Sequence, residues 1–306
     1  TIYGKNAGDT LASGGNYNAF FGEDAGTANT TGDSNVAVGY LALGANNTAT
    51  GGVAVGANAL DANTTGARNT AVGQDALGTN TEGNDNVAIG NSALESNLTG
   101  SDNVAIGRVA LNANTASNNI GIGKDALAAN TIGNTNIAIG TDAMTTNVAA
   151  DRNVAIGEQA LQNMTAASTT DTYNTAVGYN AGLAVNSGSS NTLIGGLSGK
   201  AITTGTSNTM IGKEAGKALV DGDENVIIGD GAAQTTTAVH DAVIIGRGAA
   251  QNGAITTGAN GTVAIGHKAL EALTSGAKNT AVGYQAGKAM TDGTDCTILG
   301  YQAGLA

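Results

Sequence analysis

The chain contains few side chains of the kinds that carry out catalysis or bind transition metals. Its 306 residues include two histidines, His240 and His267, and a single cysteine, Cys296. Zinc sites and nucleophilic centres require several such residues at defined spacings. Neither histidine stands at a metal-ligand spacing from the other or from Cys296. The sequence therefore predicts no catalytic residue and no metal site.

One acidic segment could bind a hard cation. Asp221, Asp223 and Glu224 lie within four residues, around Gly222. Calcium prefers carboxylate and carbonyl oxygens, so a calcium loop is one interpretation. The favoured interpretation is an ordinary Asp-Gly turn with solvated charges, because the glycine-rich calcium-binding nonapeptide is absent. No cofactor is expected.

Tyrosine provides the candidate contact residues. Tyr40, Tyr179, Tyr284 and Tyr301 each follow directly after a glycine that recurs through the chain. Exposed aromatic rings pack against a partner or stack on sugars. The simpler interpretation is a variable exposed position that tolerates tyrosine.

The composition excludes several classes of protein. Glycine accounts for 48 residues, proline and tryptophan are absent, and the formal net charge is −12. Nucleic-acid binding needs concentrated lysine and arginine, of which there are 12 in all. The sequence contains no apolar run of 18 residues, so we expect no membrane insertion in this segment. One cysteine cannot form an internal disulfide.

The glycine just mentioned recurs with a dominant spacing of 17 residues, and we call it the motif glycine. A fixed period of this kind indicates a repeat architecture. A tight bend or a close backbone approach explains why a glycine is needed there. The motif glycines are Gly4, Gly22, Gly39, Gly56, Gly73, Gly90, Gly107, Gly123, Gly140, Gly157, Gly178, Gly195, Gly212, Gly229, Gly246, Gly266, Gly283 and Gly300.

The residues around the motif glycine predict the shape of one repeat, which we call a coil. The unit reads Asn-(Thr/Val)-Ala-(Val/Ile)-Gly, and its alternation is typical of a short strand. A second apolar pair, such as Ala93-Leu94, predicts a second short segment, and a polar stretch such as 63–66 predicts the return turn. We expect an all-β parallel β-roll or β-solenoid of about 18 coils.

A single coil buries too few side chains to offset its ordering entropy, so coils must stack in register about 4.8 Å apart. The asparagine that precedes the strand would then repeat at that rise and form a hydrogen-bonded ladder. We interpret these asparagines as structural. They are Asn18, Asn35, Asn69, Asn86, Asn103, Asn119, Asn136, Asn153, Asn174, Asn191, Asn208, Asn225 and Asn279.

The array is expected to be one continuous unit over residues 1–306, and a segment of a longer fibre. Longer loops are predicted at residues 164–173 and 251–260, where the spacing of the motif glycine increases to 21 and 20. His267, directly after a motif glycine, is expected to be exposed. Cys296 replaces the asparagine of its coil, which predicts a corner thiol with little access to solvent.

The unit Asn-(Thr/Val)-Ala-(Val/Ile)-Gly-x-x-Ala, as in residues 86–93, resembles the head repeat of YadA-type trimeric autotransporter adhesins and similar repeats in phage tail fibres. The resemblance covers nearly the whole chain. It implies a left-handed parallel β-roll and a homotrimer with apolar faces packed together. The period of 17 differs from the shorter adhesin repeat, which implies longer loops.

The thin coil gives a physical reason for the same assembly. An apolar stripe along the stack would remain exposed and would need a partner, and a threefold axis can cover it. The expected function is a non-enzymatic, extracellular fibre or shaft, most simply a homotrimeric phage tail-fibre segment that mediates attachment to a host glycan or protein. The alternatives are a bacterial surface adhesin and, more distantly, an ice-binding solenoid.

Overall fold

The computed structural model describes residues 1–165, 170–253 and 255–305. The chain is all-β: it folds as a parallel β-solenoid of about 18 coils, as the repeat predicted. Its described residues contain one helix, the 3-10 turn Thr257–Ala259.

The chain forms two compact units. Among the described residues, the first contains 1–151 and 170, and the second contains 152–165, 171–253 and 255–305. Strands pair in parallel in chain order within each unit, with every strand one coil away from its partner.

The first unit contains β1 (Ile2–Tyr3), β2 (Ala19–Phe21), β3 (Val36–Val38), β4 (Val53–Val55), β5 (Thr70–Val72), β6 (Val87–Ile89), β7 (Val104–Ile106), β8 (Ile120–Ile122) and β9 (Ile137–Ile139). The second contains β11 (Val154–Ile156), β13 (Thr175–Val177), β14 (Thr192–Ile194), β15 (Thr209–Ile211), β16 (Val226–Ile228), β17 (Val243–Ile245), β18 (Val263–Ile265), β19 (Thr280–Val282) and β20 (Thr297–Leu299). Two further two-residue strands are β10 (Ala150–Asp151) and β12 (Thr170–Asp171).

Each three-residue strand turns its central residue into the coil and its two outer residues away from it. In β6, Ala88 is fully buried, whereas Val87 and Ile89 lie on the outer face. Strand alternation requires this opposition. In this strand the small residue therefore fills the interior, and the β-branched residues form the outer surface of the sheet.

The second apolar segment predicted for the coil is not a strand. Ser92 and Leu94 have φ of 53° and 54°, in the left-handed region, while Ala93 lies between them. Alternating left-handed residues cannot form an extended chain. The segment still bonds between coils, because Leu94 N donates to Ala110 O at 2.9 Å.

The motif glycine is required by the neighbouring coil. Gly90 has a φ of +138°, and a Cβ built on it would lie 2.5 Å from the carbonyl oxygen of Gly107, the motif glycine of the next coil. That distance is far inside van der Waals contact. The stacking of coils, rather than a ligand, therefore explains this recurring glycine.

Two positions share the interior of a coil, the strand centre and the fourth residue after the motif glycine. Most coils with alanine at the centre have leucine at the second position, as with Ala88 and Leu94. Phe20 instead stands opposite Gly26, where a Cβ would lie 2.7 Å from the Phe20 ring. Close packing leaves no room for two large residues in one coil.

The predicted asparagines lie buried at the bend before each strand and connect three coils. Asn103 Nδ2 donates to Asn86 Oδ1 at 3.1 Å and to Ala116 O at 2.8 Å. The Asn103 N–H also donates to Asn86 Oδ1, at 3.0 Å. These bonds satisfy buried backbone groups at the bend, which would otherwise destabilise the fold.

A second asparagine row, which the sequence interpretation missed, runs along the interior of the first unit. Asn97 Nδ2 donates to Asn80 Oδ1 at 2.9 Å and to Gly100 O at 2.9 Å. It could have been found from the asparagine seven residues after each motif glycine from Gly22 to Gly140. The row comprises Asn29, Asn46, Asn63, Asn80, Asn97, Asn114, Asn130 and Asn147.

In the second unit, the same position is mostly apolar. Four of its buried occupants are Val185, Ile202, Leu219 and Leu273. The first unit thus stabilises this layer by hydrogen bonds and the second unit by hydrophobic burial.

Candidate interaction surfaces

The outer face of the sheet carries a row of apolar side chains in both units. Ile89 and Ile106 in the first unit are 39% and 36% exposed, and Ile194 and Ile211 in the second are 37% and 36% exposed. Strand pairing places the same position directly above itself in successive coils. The result within each unit is a continuous stripe of Val, Ile and Thr, which we call the outer sheet face.

Three aromatic rings stack at the position after the motif glycine. Tyr284 lies between His267 and Tyr301, with ring centroids 5.1 and 5.2 Å apart and interplanar angles of 13° and 10°. This arrangement covers both faces of Tyr284, which therefore presents mainly its edge and hydroxyl to solvent. His267 is half-buried rather than an exposed corner residue, because the adjacent tyrosine ring covers it.

The other two predicted tyrosines are isolated. Tyr40 and Tyr179 are 51% and 53% exposed, and their counterparts in the following coil are Ala57 and Gly196. Neither small neighbour can stack on the ring. Of the four candidate tyrosines, Tyr284 and Tyr301 therefore stack together with His267. Tyr40 and Tyr179 are separate exposed rings.

The acidic segment at 221–224 lies in the bend before β16. Asp223 Oδ1 accepts hydrogen bonds from the backbone N–H and hydroxyl of Thr206 at 2.7 and 3.0 Å. His240 Nδ1 lies 3.4 Å from Asp223 Oδ2 and accepts a bond from the Asp223 N–H at 3.2 Å. Within the described ranges, no three His, Cys, Asp or Glu side chains are grouped so that they could hold a metal ion.

Cys296 is half-buried, and its Sγ lies 3.5 Å from Thr294 O. Its backbone N–H donates to Asn279 Oδ1 at 3.0 Å, which is the bond that an asparagine would make there. Cys296 therefore occupies the position of the motif asparagine in its coil.

The two predicted loops are partly packed against the coils. Residues 166–169 and 254 of these loops lie outside the described residues. In the first loop, Asp171 forms an ion pair with Arg152, whose guanidinium lies 5.8 Å from the centre of the Tyr173 ring. In the second, Ile255 is fully buried.

A buried carboxylate lies beside the second loop. Glu271 bonds to Lys268 Nζ at 2.9 Å and to Asn252 Nδ2 at 3.0 Å, and Lys288 Nζ is 3.6 Å away. Burial raises the pKa of Glu271, but the hydrogen bonds and charges of the two lysines outweigh that effect and hold the pKa below its ordinary value.

The second unit also has an open groove of about 720 Å³. Leu183, Ala201 and Ala218 contribute apolar surface, and Lys200 and Lys217 lie on its wall. Successive coils supply equivalent residues, so the groove follows from small residues at one position of the repeat.

No family model matches the chain, and no curated protein is similar to it. The described residues contain no helix long and apolar enough to cross a membrane. The likeness to YadA-type head repeats remains an interpretation of the motif.

Proposed function

We propose that the chain is a structural segment of an extracellular homotrimeric fibre, most simply of a phage tail fibre, and that it is not an enzyme. The observation that carries this proposal is the outer sheet face. Water-exposed stripes of Val and Ile are unusual on monomers and mark surfaces that partners cover. Two further copies of the same chain would present the same stripe at the same rise.

Threefold symmetry suits this surface for a geometric reason. Every coil repeats the stripe, so identical chains aligned along a common axis can match it coil by coil. The dense hydrogen bonding between coils supports a shaft function, because each coil is held by its neighbours through strand, turn and asparagine bonds.

The experiment is a solution mass by light scattering, accompanied by far-ultraviolet circular dichroism. The expected mass is three times the 29.6 kDa of one chain, with a β spectrum. A concentration-independent monomer with the same spectrum would contradict the trimer and would favour a single-chain surface protein.

A bacterial surface adhesin is the second candidate, favoured by the exposed rings of Tyr40 and Tyr179. Exposed aromatic rings are common in protein contacts. A collagen or cell-binding assay on the purified chain separates this function from a passive shaft. Loss of binding on replacing both tyrosines with serine would support it.

A further inference from the structure

A change of residue type at one position of the repeat opens a cavity in the second unit. The second residue after the motif glycine has a left-handed φ, and it carries a side chain in other coils, such as Asn58 (φ 56°) and Asp75 (φ 56°). Gly231 and Gly248, in consecutive coils, are the exceptions. Since Asn and Asp occupy this conformation elsewhere, the backbone alone does not require glycine here.

The two missing side chains leave a cavity of about 250 Å³. Glu214 and Lys268, which occupy the same row in the flanking coils, line it at either side. Gln251 covers part of its wall, since a Cβ on Gly231 would lie 2.8 Å from Gln251 Nε2. The cavity lies where two consecutive coils lack the side chain that the other coils carry at this position.

The cavity is lined by charged groups of both signs. Lys213 and Arg247 supply two cations beside the carboxylates of Glu214 and Asp230, in a chain of net charge −12. The third cation of the lining, Lys268, already bonds to Glu271 at 2.9 Å. Arg247 Nε is 3.9 Å from Asp230 Oδ2, and both side chains are more than half exposed. Such a pair contributes little stability and leaves Arg247 available to a ligand.

An imidazole ring completes the lining. His267 borders the cavity, and its Nδ1 is buried without a hydrogen-bond partner among the described residues. A buried polar atom without a partner is costly unless something supplies the bond. The cavity thus offers cations, carboxylates, an amide and a free imidazole nitrogen within one small volume.

We propose that this cavity binds one acidic sugar residue. Arg247 and Lys213 would bind the carboxylate, because charge-assisted hydrogen bonds are the strong ones. The carboxylates of Glu214 and Asp230 would accept bonds from the hydroxyl groups. The volume is smaller than the range of about 300–1,000 Å³ usual for drug-sized ligands, which fits a single ring.

This inference rests on the proposed function in one respect: it names the ligand class of a surface that would attach to cells. It does not depend on the trimer, because all the lining residues belong to one unit of one chain.

The test is a titration of the full-length chain with glucuronate, followed by NMR of the chain, with glucose as the neutral probe. We expect saturable shifts with a Kd of about 1–10 mM for glucuronate and no saturation for glucose. Replacement Arg247→Ala should weaken binding about tenfold or more, since a charge-assisted bond is lost. Arg108→Ala, at the same position of a distant coil, is the control and should leave Kd unchanged.

A second variant tests the cavity itself. Gly231→Asn together with Gly248→Asn refills the row with a residue found there in other coils and should abolish binding. Ser92→Asn, at the same position in the first unit, is its control. The proposal is overturned if glucuronate fails to bind the parent chain, or binds the refilled variant equally well.

Light scattering on the same samples separates the two proposals. If the chain is a monomer and binds glucuronate, the cavity site is supported and the trimeric fibre is contradicted. If it is a trimer and does not bind glucuronate, the fibre is supported and the cavity site is contradicted.

Discussion

Asn86 donates two hydrogen bonds to the side-chain oxygen of Asn69, one coil earlier. Its backbone N–H and its Nδ2 lie 2.9 and 3.1 Å from Asn69 Oδ1. Asn86 Nδ2 also donates to Gly100 O, one coil later, at 2.9 Å. One amide therefore connects three coils at a buried bend.

Replacement Asn86→Ala should lower the free energy of unfolding by about 2–4 kcal/mol, because it leaves the Asn103 N–H buried without its partner and removes one of the two donors to the Gly100 carbonyl. Urea denaturation measures the change. Asn91→Ala is the control: Asn91 is exposed and makes one long bond of 3.4 Å to Gln74 O. Equal effects of the two variants would count against the asparagine row as a stabilising element.

Replacement Gly90→Ala should destabilise the chain by more than about 3 kcal/mol, since its Cβ would clash with the Gly107 carbonyl at a φ of +138°. Gly196→Ala provides a matched control, because a Cβ at Gly196 meets no atom within 4 Å. Melting temperatures of the two variants give the comparison. A stable Gly90→Ala chain would mean that coils can separate at this bend.

Replacement Ala88→Val should cost about 1–3 kcal/mol by overpacking the interior. Adding Leu94→Ala should recover part of that loss, because coils such as that of Ile227 and Ala233 combine a large centre with a small partner. A double-mutant cycle measures the coupling. Strict additivity would show that the two positions do not share one space.

If the chain is the proposed trimer, replacement of Ile89 and Ile106 by lysine should convert it into monomers without unfolding it. Both residues lie on the outer sheet face, where burial of unpaired charges against a partner is unfavourable. Leu98→Lys, at an exposed turn residue, is the control. The measurement is the light-scattering mass; a variant that stays trimeric would place the contact on another face.

Glu271 should make stability depend on pH. Because its folded pKa is lowered, its contribution is present above the unfolded value, near 4.5, and is lost as the pH falls through the folded value. Glu271→Gln should therefore destabilise the chain at neutral pH, and by less at an acidic pH below 4.5. Urea titrations at both pH values measure this, with the exposed Glu82→Gln as control. A constant difference at both pH values would contradict it.

The sequence alone predicted the repeat, its period and the position of its strand. The motif positions of Gly90 and Asn86 recur because stacking imposes the same contact on every coil. The sequence therefore repeats the residue types that this contact requires. A repeated constraint is readable without coordinates, because each coil provides independent evidence for it.

The tertiary structure decided which residues of each strand face the core. Hydrophobicity alone would place Val87 and Ile89 in the core. The narrow interior of the coil accommodates only the central strand residue, Ala88, together with Leu94. Leu94 itself lies in a left-handed turn that local propensity disfavours, because intercoil hydrogen bonds and burial outweigh that cost.

The candidate site depended on tertiary structure even more strongly. Gly231 and Gly248 are two ordinary glycines among 48 in the sequence. They define a cavity only because stacking places them one above the other and brings Arg247, Lys268 and Glu214 around the gap. Periodicity determines which positions recur, whereas a site arises where neighbouring coils depart from the repeat together, and only their packing brings those departures into contact.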